Sequence, residues 1–198
     1  MPEGTNVLIV SSDADAVEAA LAGQLFRCPA CGVGVLARWG FARRRVLRDE
    51  QRFRPRRGAC RECETTHVLL PDACLLRRRD SVEAIGAALS APPGEDHVEV
   101  GERLGVPAVT VRGWRRRFRR WAEAIRAHFT RWLLALAPGR PPPEPTGSKA
   151  ADALEAIGLA ARAATLHLGI IRPAWSWASA LTAGALLSNT SSPWPAPD

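Results

Sequence analysis

The chain has 198 residues, which is enough for one ordinary domain or for two to three small modules. Hydrophobic residues make up 46% of the sequence, enough to build a core, although much of this fraction is alanine, which buries little area per residue. Lysine and arginine together number 27 against 20 aspartates and glutamates, so the formal net charge is +7. The composition therefore predicts a folded, basic protein.

The sequence argues against export and against membrane insertion. The N-terminus carries acids where a secretory signal would carry cations. The longest apolar run, PAWSWASALTAGALL, is about 15 residues and falls short of the roughly 20 that span a bilayer. We therefore expect a cytoplasmic, nucleoid-associated protein in which this run forms a packed C-terminal helix.

The cations are concentrated in two blocks. Residues 27–79 contain fourteen arginines and five acids, and residues 103–131 contain nine arginines and one acid. Lys149 is the only lysine. Because a GC-rich genome also produces abundant arginine with little lysine, the distribution of the charges is more informative than their total. Two basic blocks indicate a polyanionic partner.

The first segment, residues 1–76, begins with the strand-like run VLIV. The sequence SSDAD that follows offers a capping oxygen and acids for a first helical turn, and it predicts a short helix that ends near Gly23. Cysteines, short β-type runs and an arginine-dense loop come next. We expect a small, β-rich module with an N-terminal strand and helix.

Four cysteines of this segment have the spacing of a structural zinc site. Two C-x2-C pairs are separated by 28 residues, a gap longer than usual for this pattern. Each tight turn directs two sulfurs at one ion, and two turns complete a tetrahedral four-thiolate site that has no open position for catalysis. The predicted zinc ligands are Cys28, Cys31, Cys60 and Cys63.

Disulfides or unrelated thiols are the alternative interpretation, which a cytosolic location disfavours. Cys74 and His67 lie at irregular distances from the two cysteine pairs, so we do not expect them to be metal ligands. We expect Cys74 to be a small buried apolar group and His67 to be a strand residue. The residues between the two cysteine pairs could form a β-hairpin with a projecting, arginine-rich end. The arginines expected to add contacts to a DNA backbone from this module are Arg43, Arg44, Arg45, Arg56 and Arg57.

Residues 80–137 have the pattern of three helices. The sequences DSVE at 80–83 and DHVE at 96–99 both have the order of a capping box at a helix N-terminus. Val82, Ile85 and Leu89 mark the apolar face of the first helix. Pro107 suits the first turn of the third helix.

The sequence VGERLGVPAVTVRGW fits a helix-turn-helix template. Gly101 falls where the two helices approach closely, and Gly105 falls in the turn, where a positive φ is needed. Apolar residues occupy the buried positions of the template, which are Val100, Leu104, Val106, Val111 and Trp114. These seven positions predict a helix-turn-helix unit, preceded by the apolar helix.

The helix after the turn has an apolar stripe and a basic face. The stripe comprises Val111, Trp114, Phe118, Trp121 and Ile125, and it continues to Leu136, so the later half packs on the C-terminal helices or pairs with a second subunit. The residues predicted to contact DNA are Ala108, Val109, Arg112, Arg115, Arg116, Arg119 and Arg120. Those at the start of the helix would enter the major groove, where an arginine can bind guanine, while Arg119 and Arg120 would contact phosphates.

A solvated basic face on a bundle helix is the alternative for these arginines. In that case their mutual repulsion would be relieved only by Glu123, whereas DNA would supply the missing anions.

The chain continues with a proline-rich linker at residues 138–149, which should be extended and semi-rigid. A helical C-terminal segment at 150–188 and a loose tail at 189–198 complete the prediction.

The motifs CPACG, RPRRGACREC, THVLLP and ERLGVPAVTVRGWRRRF, in this order, carry a resemblance. The chain is similar to the N-terminal DNA-binding region of insertion-sequence transposases, which join a zinc ribbon to a helix-turn-helix. More closely it resembles an uncharacterised actinobacterial family with the same two modules and an alanine-rich helical tail. The resemblance implies that the four cysteines of the C-x2-C pairs bind the metal and that the helix from Pro107 reads DNA.

The sequence thus predicts an α+β protein that combines a zinc ribbon, a helix-turn-helix with a long third helix, and a helical C-terminal segment. Its expected function is zinc-dependent binding of double-stranded DNA, as a regulator or as the targeting part of a mobile element. We expect no enzymatic activity, because carboxylate-triad, Ser-His-Asp, glycine-loop and HExxH motifs are not found, and we expect no small-molecule substrate. Open alternatives are a transposase subunit that works with a separate catalytic chain, a homodimer, and an RNA-binding or protein-docking module.

Overall fold

The computed structural model describes residues 6–188 and Trp194, and in that part of the chain it is a mixed α+β fold. This class agrees with the prediction from the sequence. The predicted loose tail falls on residues 189–198, which lie outside the described residues except for Trp194. That tryptophan is buried in the helical core.

The N-terminal segment builds a four-stranded sheet with strands β1 (Val7–Val10), β2 (Leu36–Phe41), β5 (Arg56–Cys60) and β6 (Thr66–Pro71). The strand order is β1-β6-β5-β2, in which β1 pairs in parallel with β6 and the other neighbours are antiparallel. The run VLIV is therefore a strand, as predicted, and β2 lies at one edge of the sheet.

A short helix, α1 (Ala14–Ala22), covers part of this sheet. Its N-cap is Asp13, whose carboxylate accepts hydrogen bonds from the backbone N–H groups of Asp15 and Ala16. The helix ends at Gly23, as the sequence predicts. It buries Val17 and Leu21 against the sheet, which gives this small module an apolar core beside its cysteines.

The arginine-dense loop forms a second, two-stranded sheet. Strand β3 (Arg45–Val46) pairs antiparallel with β4 (Arg52–Phe53), and both are inserted between β2 and β5. Leu47 anchors the turn of this hairpin in a small apolar cluster with Leu70 and Cys74. The β3–β4 hairpin therefore extends from the end of the antiparallel pair β2–β5, as expected.

Three helices follow, namely α2 (Val82–Leu89), α3 (His97–Leu104) and α4 (Ala108–Leu136). The capping box predicted at the start of α3 is present, with Asp96 and Glu99 bonded reciprocally. The box predicted for α2 is wrong. Ser81 caps that helix by accepting from the Ala84 N–H, while the Asp80 carboxylate binds the guanidinium of Arg48 at 2.6 Å.

The connection between α3 and α4 depends on two glycines. Gly105 ends α3 with φ of +64°, a conformation that costs an L-residue free energy and glycine almost none. A Cβ on Gly101 would lie 2.5 Å from the carbonyl oxygen of Val106, so the turn can close on α3 only if no side chain stands there. The backbone N–H of Val106 donates to the Gly101 carbonyl at 2.8 Å.

The apolar stripe of α4 points into a common helical core. Val111, Trp114, Phe118 and Ile125 are buried as predicted, while Trp121 is only half-buried and the neighbouring Ala122 is buried beside it. The stripe continues to Leu136, which agrees with the predicted length of the helix. The later half of α4 packs on the C-terminal segment within one chain.

Helix α5 (Lys149–Leu168) runs parallel to α4, which the proline-rich linker makes possible. Lys149 at the start of α5 binds Glu123 in the middle of α4 at 2.9 Å, and Leu136 at the end of α4 packs near Ala161 in the second half of α5. Residues 138–148 therefore run back along α4. The Pro143 carbonyl accepts a hydrogen bond from Arg126 on the way.

Helix α6 (Ala174–Leu181) and the residues on either side of it join the two halves of the molecule. The Ser179 hydroxyl donates to the carbonyl of Cys74, and Arg172 binds the buried carboxylate of Asp72 at 2.9 Å. Trp175 lies so close to Gly86 of α2 that a Cβ there would overlap its indole ring. The apolar run at 173–187 is thus packed against protein, as expected.

The close approach at Gly101 gives a test of the α3–α4 geometry. Gly101→Ala should lower the free energy of unfolding by about 1–3 kcal/mol, because its methyl group overlaps the Val106 carbonyl. Gly113→Ala is the matched control, since a Cβ at that position on α4 meets nothing within 4 Å and alanine favours the helix by up to about 1 kcal/mol. Urea denaturation measures both variants, and equal stabilities would contradict the geometry.

Candidate metal centre and basic surface

The first cysteine pair lies in a tight turn before β2. Gly32 follows Cys31 with φ of +71°, and its N–H donates to the Cys28 carbonyl at 2.9 Å. The N–H of Gly34 lies 3.4 Å from the Cys31 sulfur. A Cβ on Gly34 would overlap the Cys60 sulfur, so this glycine lets the two cysteine pairs approach each other. Sequence reasoning missed Gly34, since its role depends on a contact 26 positions away.

The second pair lies where β5 ends and the chain turns towards β6. The N–H of Glu62 lies 3.4 Å from the Cys60 sulfur, which places a backbone dipole on that ligand. The hydroxyl of Thr65 lies 3.4 Å from the Cys63 sulfur. Both cysteine pairs are therefore surrounded by donors that stabilise negative charge on sulfur.

The four cysteines of the two pairs converge on one point. Each sulfur of Cys28, Cys31, Cys60 and Cys63 lies within 4.8 Å of the other three. The Cys28–Cys63 and Cys31–Cys60 sulfurs are 3.7 Å apart, far longer than the roughly 2.05 Å of a disulfide bond. The group is thus able to hold a metal ion in a tetrahedral-like arrangement, and the disulfide alternative is not what the structure contains.

The local environment gives Cys28, Cys31 and Cys63 different pKa values. Hydrogen bonding by Thr65 lowers the pKa of Cys63 to about 6, and the N–H groups of Gly34 and Val33 lower the pKa of Cys31. Burial raises the pKa of Cys28 to about 11. A buried thiol of this kind gives up its proton readily when a cation takes its place, so the donor set fits a metal ion.

His67 lies beside the cluster. It occupies β6, as the sequence predicted, and its Nε2 is 3.3 Å from the Cys28 sulfur. Burial lowers the pKa of His67, so its ring is neutral and can donate the Nε2 hydrogen to a Cys28 thiolate. This contact would orient Cys28 towards a bound metal ion, and the sequence alone did not reveal it because residues 28 and 67 are far apart in the chain.

Cys74 lies outside the metal group. Only 1% of its surface is exposed, and it packs with Leu47 and Leu70. Burial raises the pKa of this thiol to about 12, so it stays protonated. It is the small buried apolar group that the sequence predicted.

The basic face of α4 is exposed along its first half. Val109 is 68% exposed at the start of the helix. Four exposed arginines follow at helical spacing on the same side of α4 and point away from the core. They are Arg112, Arg116, Arg119 and Arg120, and together with Val109 they form one surface. Ala108 is half-buried beside the α3–α4 turn. Most of the predicted contact residues therefore share one solvent-facing surface, which we call the α4 basic face.

Arg115 does not belong to the α4 basic face. Its Nε donates to the carbonyl of Ala88 near the end of α2 at 3.0 Å, and one terminal nitrogen donates to the Glu95 carbonyl at 2.9 Å. The guanidinium therefore satisfies backbone acceptors at a helix C-terminus and in the loop that follows. We leave Arg115 out of the surface that can contact a partner.

The five arginines of the N-terminal segment that the sequence predicts to contact a DNA backbone also divide into two groups. Arg56 binds the Glu18 carboxylate and stacks on Phe41, and Arg57 donates to the Thr66 hydroxyl at 2.7 Å, so both serve the module itself. The exposed arginines are those before and in strand β3, namely Arg43, Arg44 and Arg45. Only this second group is free to face a partner.

The β3–β4 hairpin is held against the helical half of the molecule. Arg48 binds the Asp80 carboxylate through its side chain, and its N–H donates to the Arg79 carbonyl at 2.8 Å. The same Arg48 lines a groove with Gly105 and Ala108. The arginine-rich hairpin therefore lies next to the turn that begins α4, which places the two basic blocks side by side.

Comparison of the chain with protein-family models, with curated proteins and with solved structures gives no match. The resemblance drawn from the motifs therefore stays a prediction. Among residues 6–188 and Trp194, none of the helices is both long enough and apolar enough to cross a bilayer.

The four-thiolate group predicts that one substitution removes metal and fold together. Cys60→Ser should lose the bound metal and the folded state of residues 6–76, measured by amide hydrogen exchange, because a module this small depends on its ion. Cys74→Ser is the matched control, since it replaces a cysteine outside the group. Metal analysis should find a bound ion in the control and none in Cys60→Ser. A folded, metal-free Cys60→Ser protein would refute the assignment.

The His67 contact predicts a separate effect on metal retention. His67→Ala should weaken metal affinity by about 10–100-fold, because the Cys28 thiolate loses its donor. His67→Gln keeps an amide N–H near the position of Nε2 and should recover much of the affinity. Competition with a chromophoric chelator measures this, and identical affinities of the alanine and glutamine variants would contradict the donor role.

Proposed function

We propose that this protein is a zinc-dependent, double-stranded DNA-binding protein in which α3 and α4 form a helix-turn-helix and α4 reads the major groove. The observation that carries the proposal is the α4 basic face, which starts beside a turn closed by Gly101 and Gly105. The end of α4 that carries Val109 and Arg112 is the end that a reading helix presents to base edges.

Zinc is the ion that the ligand set favours. Zn–S bonds of about 2.3 Å in a tetrahedron require sulfurs about 3.8 Å apart, close to the 3.7 Å of two pairs in this cluster. Four thiolates and no oxygen donor suit zinc over magnesium or calcium. With all four positions filled by protein, the ion is structural: it holds the β-rich module together and keeps the β3–β4 hairpin in place.

The charges of α4 support an anionic partner. Glu123 is the only acid on α4, and Lys149 binds its carboxylate. The cations of the α4 basic face therefore have no carboxylate of their own helix to offset them, and like charges three and four positions apart destabilise a helix. A phosphate backbone would supply the anions along such a face.

The chemistry of the face suggests a division of labour. Arg112 and Arg116 can each present a guanidinium to O6 and N7 of guanine, and the exposed methyl groups of Val109 suit the methyl group of thymine. Arg119 and Arg120 lie further along the helix and bind phosphates, which sets the register without reading the sequence. The exposed arginines of the hairpin add backbone contacts beside the start of α4.

In this proposal the chain supplies binding and no catalysis. It acts in the cytoplasm on the nucleoid, as a regulator or as the targeting subunit of a mobile-element system. A second copy of the chain, or a separate catalytic or regulatory chain, is the protein partner that these roles imply. Both the regulator and the targeting subunit would need a DNA-binding surface held in place by a structural ion.

Substitutions along α4 test the assignment of roles. Arg112→Ala should weaken binding to a selected duplex by about 1–3 kcal/mol and relax sequence preference, because it removes a base contact. Arg119→Ala should weaken all duplexes similarly and lower the slope of log K against log salt by about 1, because it removes a phosphate contact. Fluorescence anisotropy on selected and random duplexes at several salt concentrations separates the two.

Arg115→Ala is the internal comparison on the same helix. It should lower the free energy of unfolding, because the Ala88 and Glu95 carbonyls lose their donor. For duplex binding, its slope of log K against log salt should match that of the unsubstituted protein. If the Arg112 and Arg119 variants lost the same affinity on every sequence, the assignment of α4 as the reading helix would fall.

A further inference from the structure

Strand β2 exposes two aromatic side chains at the edge of the sheet. Trp39 is 64% exposed and Phe41 is 48% exposed, whereas Trp114 and Phe129 of the helical core are fully buried. β2 is the last strand in the order β1-β6-β5-β2, so one side of it has no neighbouring strand. Two exposed aromatic rings lie here within an arginine-rich segment, and this combination is the one that binds stacked nucleobases.

A bulge in β2 sets the position of Trp39. Arg38 pairs with Gly58 and Gly40 pairs with Arg57, so Trp39 stands between them without a partner in the ladder. Bulges of this kind re-aim a side chain and break the regular hydrogen-bonding pattern of a strand. The broken edge is poorly suited to adding a further β-strand from a peptide, while the indole remains available for stacking.

Arginines complete the surface around Phe41. The guanidinium carbons of Arg54 and Arg56 lie 5.0 Å and 4.2 Å from the centroid of the Phe41 ring. The Glu18 carboxylate binds Arg56 and also Arg38 at 3.0 Å, so these two cations share one negative charge within the protein. Arg54 is exposed and donates only a long bond to the Ala42 carbonyl, so its charge and its flat guanidinium face solvent.

A cleft of about 310 Å³ lies next to the Phe41 ring. Phe53 and Arg52 of the β3–β4 hairpin line one side of it, and Ser11 and Ser12 before α1 line another. This volume is at the lower end of the range for small-molecule sites. It offers an apolar wall and a cation, which together match a planar ring, while the Ser12 hydroxyl donates to Asp72 and the Glu18 carboxylate at the cleft binds Arg56.

We propose that Trp39, Phe41 and Arg54, which we call the aromatic–arginine edge, bind unpaired nucleobases of a single-stranded nucleic acid. Bases stack on exposed aromatic rings and on guanidinium planes, and every base has such a face, so this binding is tolerant of sequence. The exposed arginines that follow in the chain, Arg43 and Arg44, attract the phosphate backbone. The aromatic–arginine edge shares no residue with the α4 basic face. Arg43 and Arg44 can also contact a duplex bound at α4, so Trp39 is the residue that distinguishes the two sites.

The charge of the surroundings selects nucleic acid over an apolar partner. The segment from Arg38 to Arg57 holds nine arginines and two acids. One of these acids, Asp49, already accepts hydrogen bonds from the side-chain amide and the N–H of Gln51. An apolar protein surface would bury these cations without compensation, whereas a single strand supplies one phosphate for each base.

The test uses the metal-loaded full chain and labelled oligo(dT) and oligo(rU) of about 12 nucleotides, a length within the usual range of single-strand sites. Trp39→Ala should weaken binding by about ten-fold, because one stacked base is worth about 1–3 kcal/mol. The slope of log K against log salt should not change, since no phosphate contact is removed. Trp39→Phe should retain most of the affinity.

Two controls distinguish the loss of base stacking from the loss of a positive charge and from the loss of exposed apolar surface. Arg43→Ala should weaken binding and also lower the salt slope. Ile171→Ala removes a large apolar side chain that is 92% exposed elsewhere on the chain, and it should leave binding unchanged. Zinc content and thermal stability should be the same in all four variants, because none of these side chains is buried.

Equal affinity of Trp39→Ala and unsubstituted protein for both oligonucleotides would overturn the proposal, and so would the absence of binding by the unsubstituted protein. Preference for oligo(rU) or for oligo(dT) identifies the source of the bases. A duplex measured in parallel keeps the two proposals apart. Loss of single-strand binding in Trp39→Ala with duplex binding intact supports this site alone, and loss of duplex binding in Arg112→Ala concerns only the α4 basic face.

Discussion

Convergence of four cysteine sulfurs within 4.8 Å is the constraint on which the N-terminal half depends. Four thiolates at this separation repel one another strongly without a cation, and the apolar core beside them is small. An ion bound by all four sulfurs would also fix the start of β2 and the end of β5, from which the β3–β4 hairpin extends. Arg48 of this hairpin binds Asp80 before α2 and lines a groove with Gly105 and Ala108, so the hairpin lies beside the turn before α4. The position of the basic hairpin beside α4 thus depends on the cysteine group that holds the module together.

Charge is the second constraint, and the fold treats arginines in two ways. Arg115, Arg56 and Arg126 donate to carbonyl or carboxylate groups and hold elements together. Those of the α4 basic face and of the start of β3 remain in solvent. A GC-rich genome can account for the number of these arginines, but it does not require them to cluster on two exposed surfaces. The proposed DNA partner accounts for both the density and the exposure of that group.

Sequence reasoning succeeded where a local pattern carries the information. The C-x2-C spacing led to the four clustered cysteines, and Gly101 and Gly105 were identified from the spacing of the α3–α4 turn. Sequence reasoning failed where a side chain contacts a residue that is distant in the chain. The bond of Asp80 to Arg48 displaced a predicted capping box, and Arg115 was assigned to a partner surface although its acceptors lie 20 and 27 positions away. The parallel α4–α5 pair follows from long-range packing that no periodicity reveals.

Equilibrium binding of metal-loaded protein to random duplex DNA across a series of salt concentrations tests the central claim most directly. The account predicts measurable binding at low ionic strength, with log K falling linearly against log salt as phosphate contacts release counterions. It also predicts that removal of the metal abolishes this binding. A metal-loaded, folded protein that ignores duplex DNA even in dilute buffer would contradict the account.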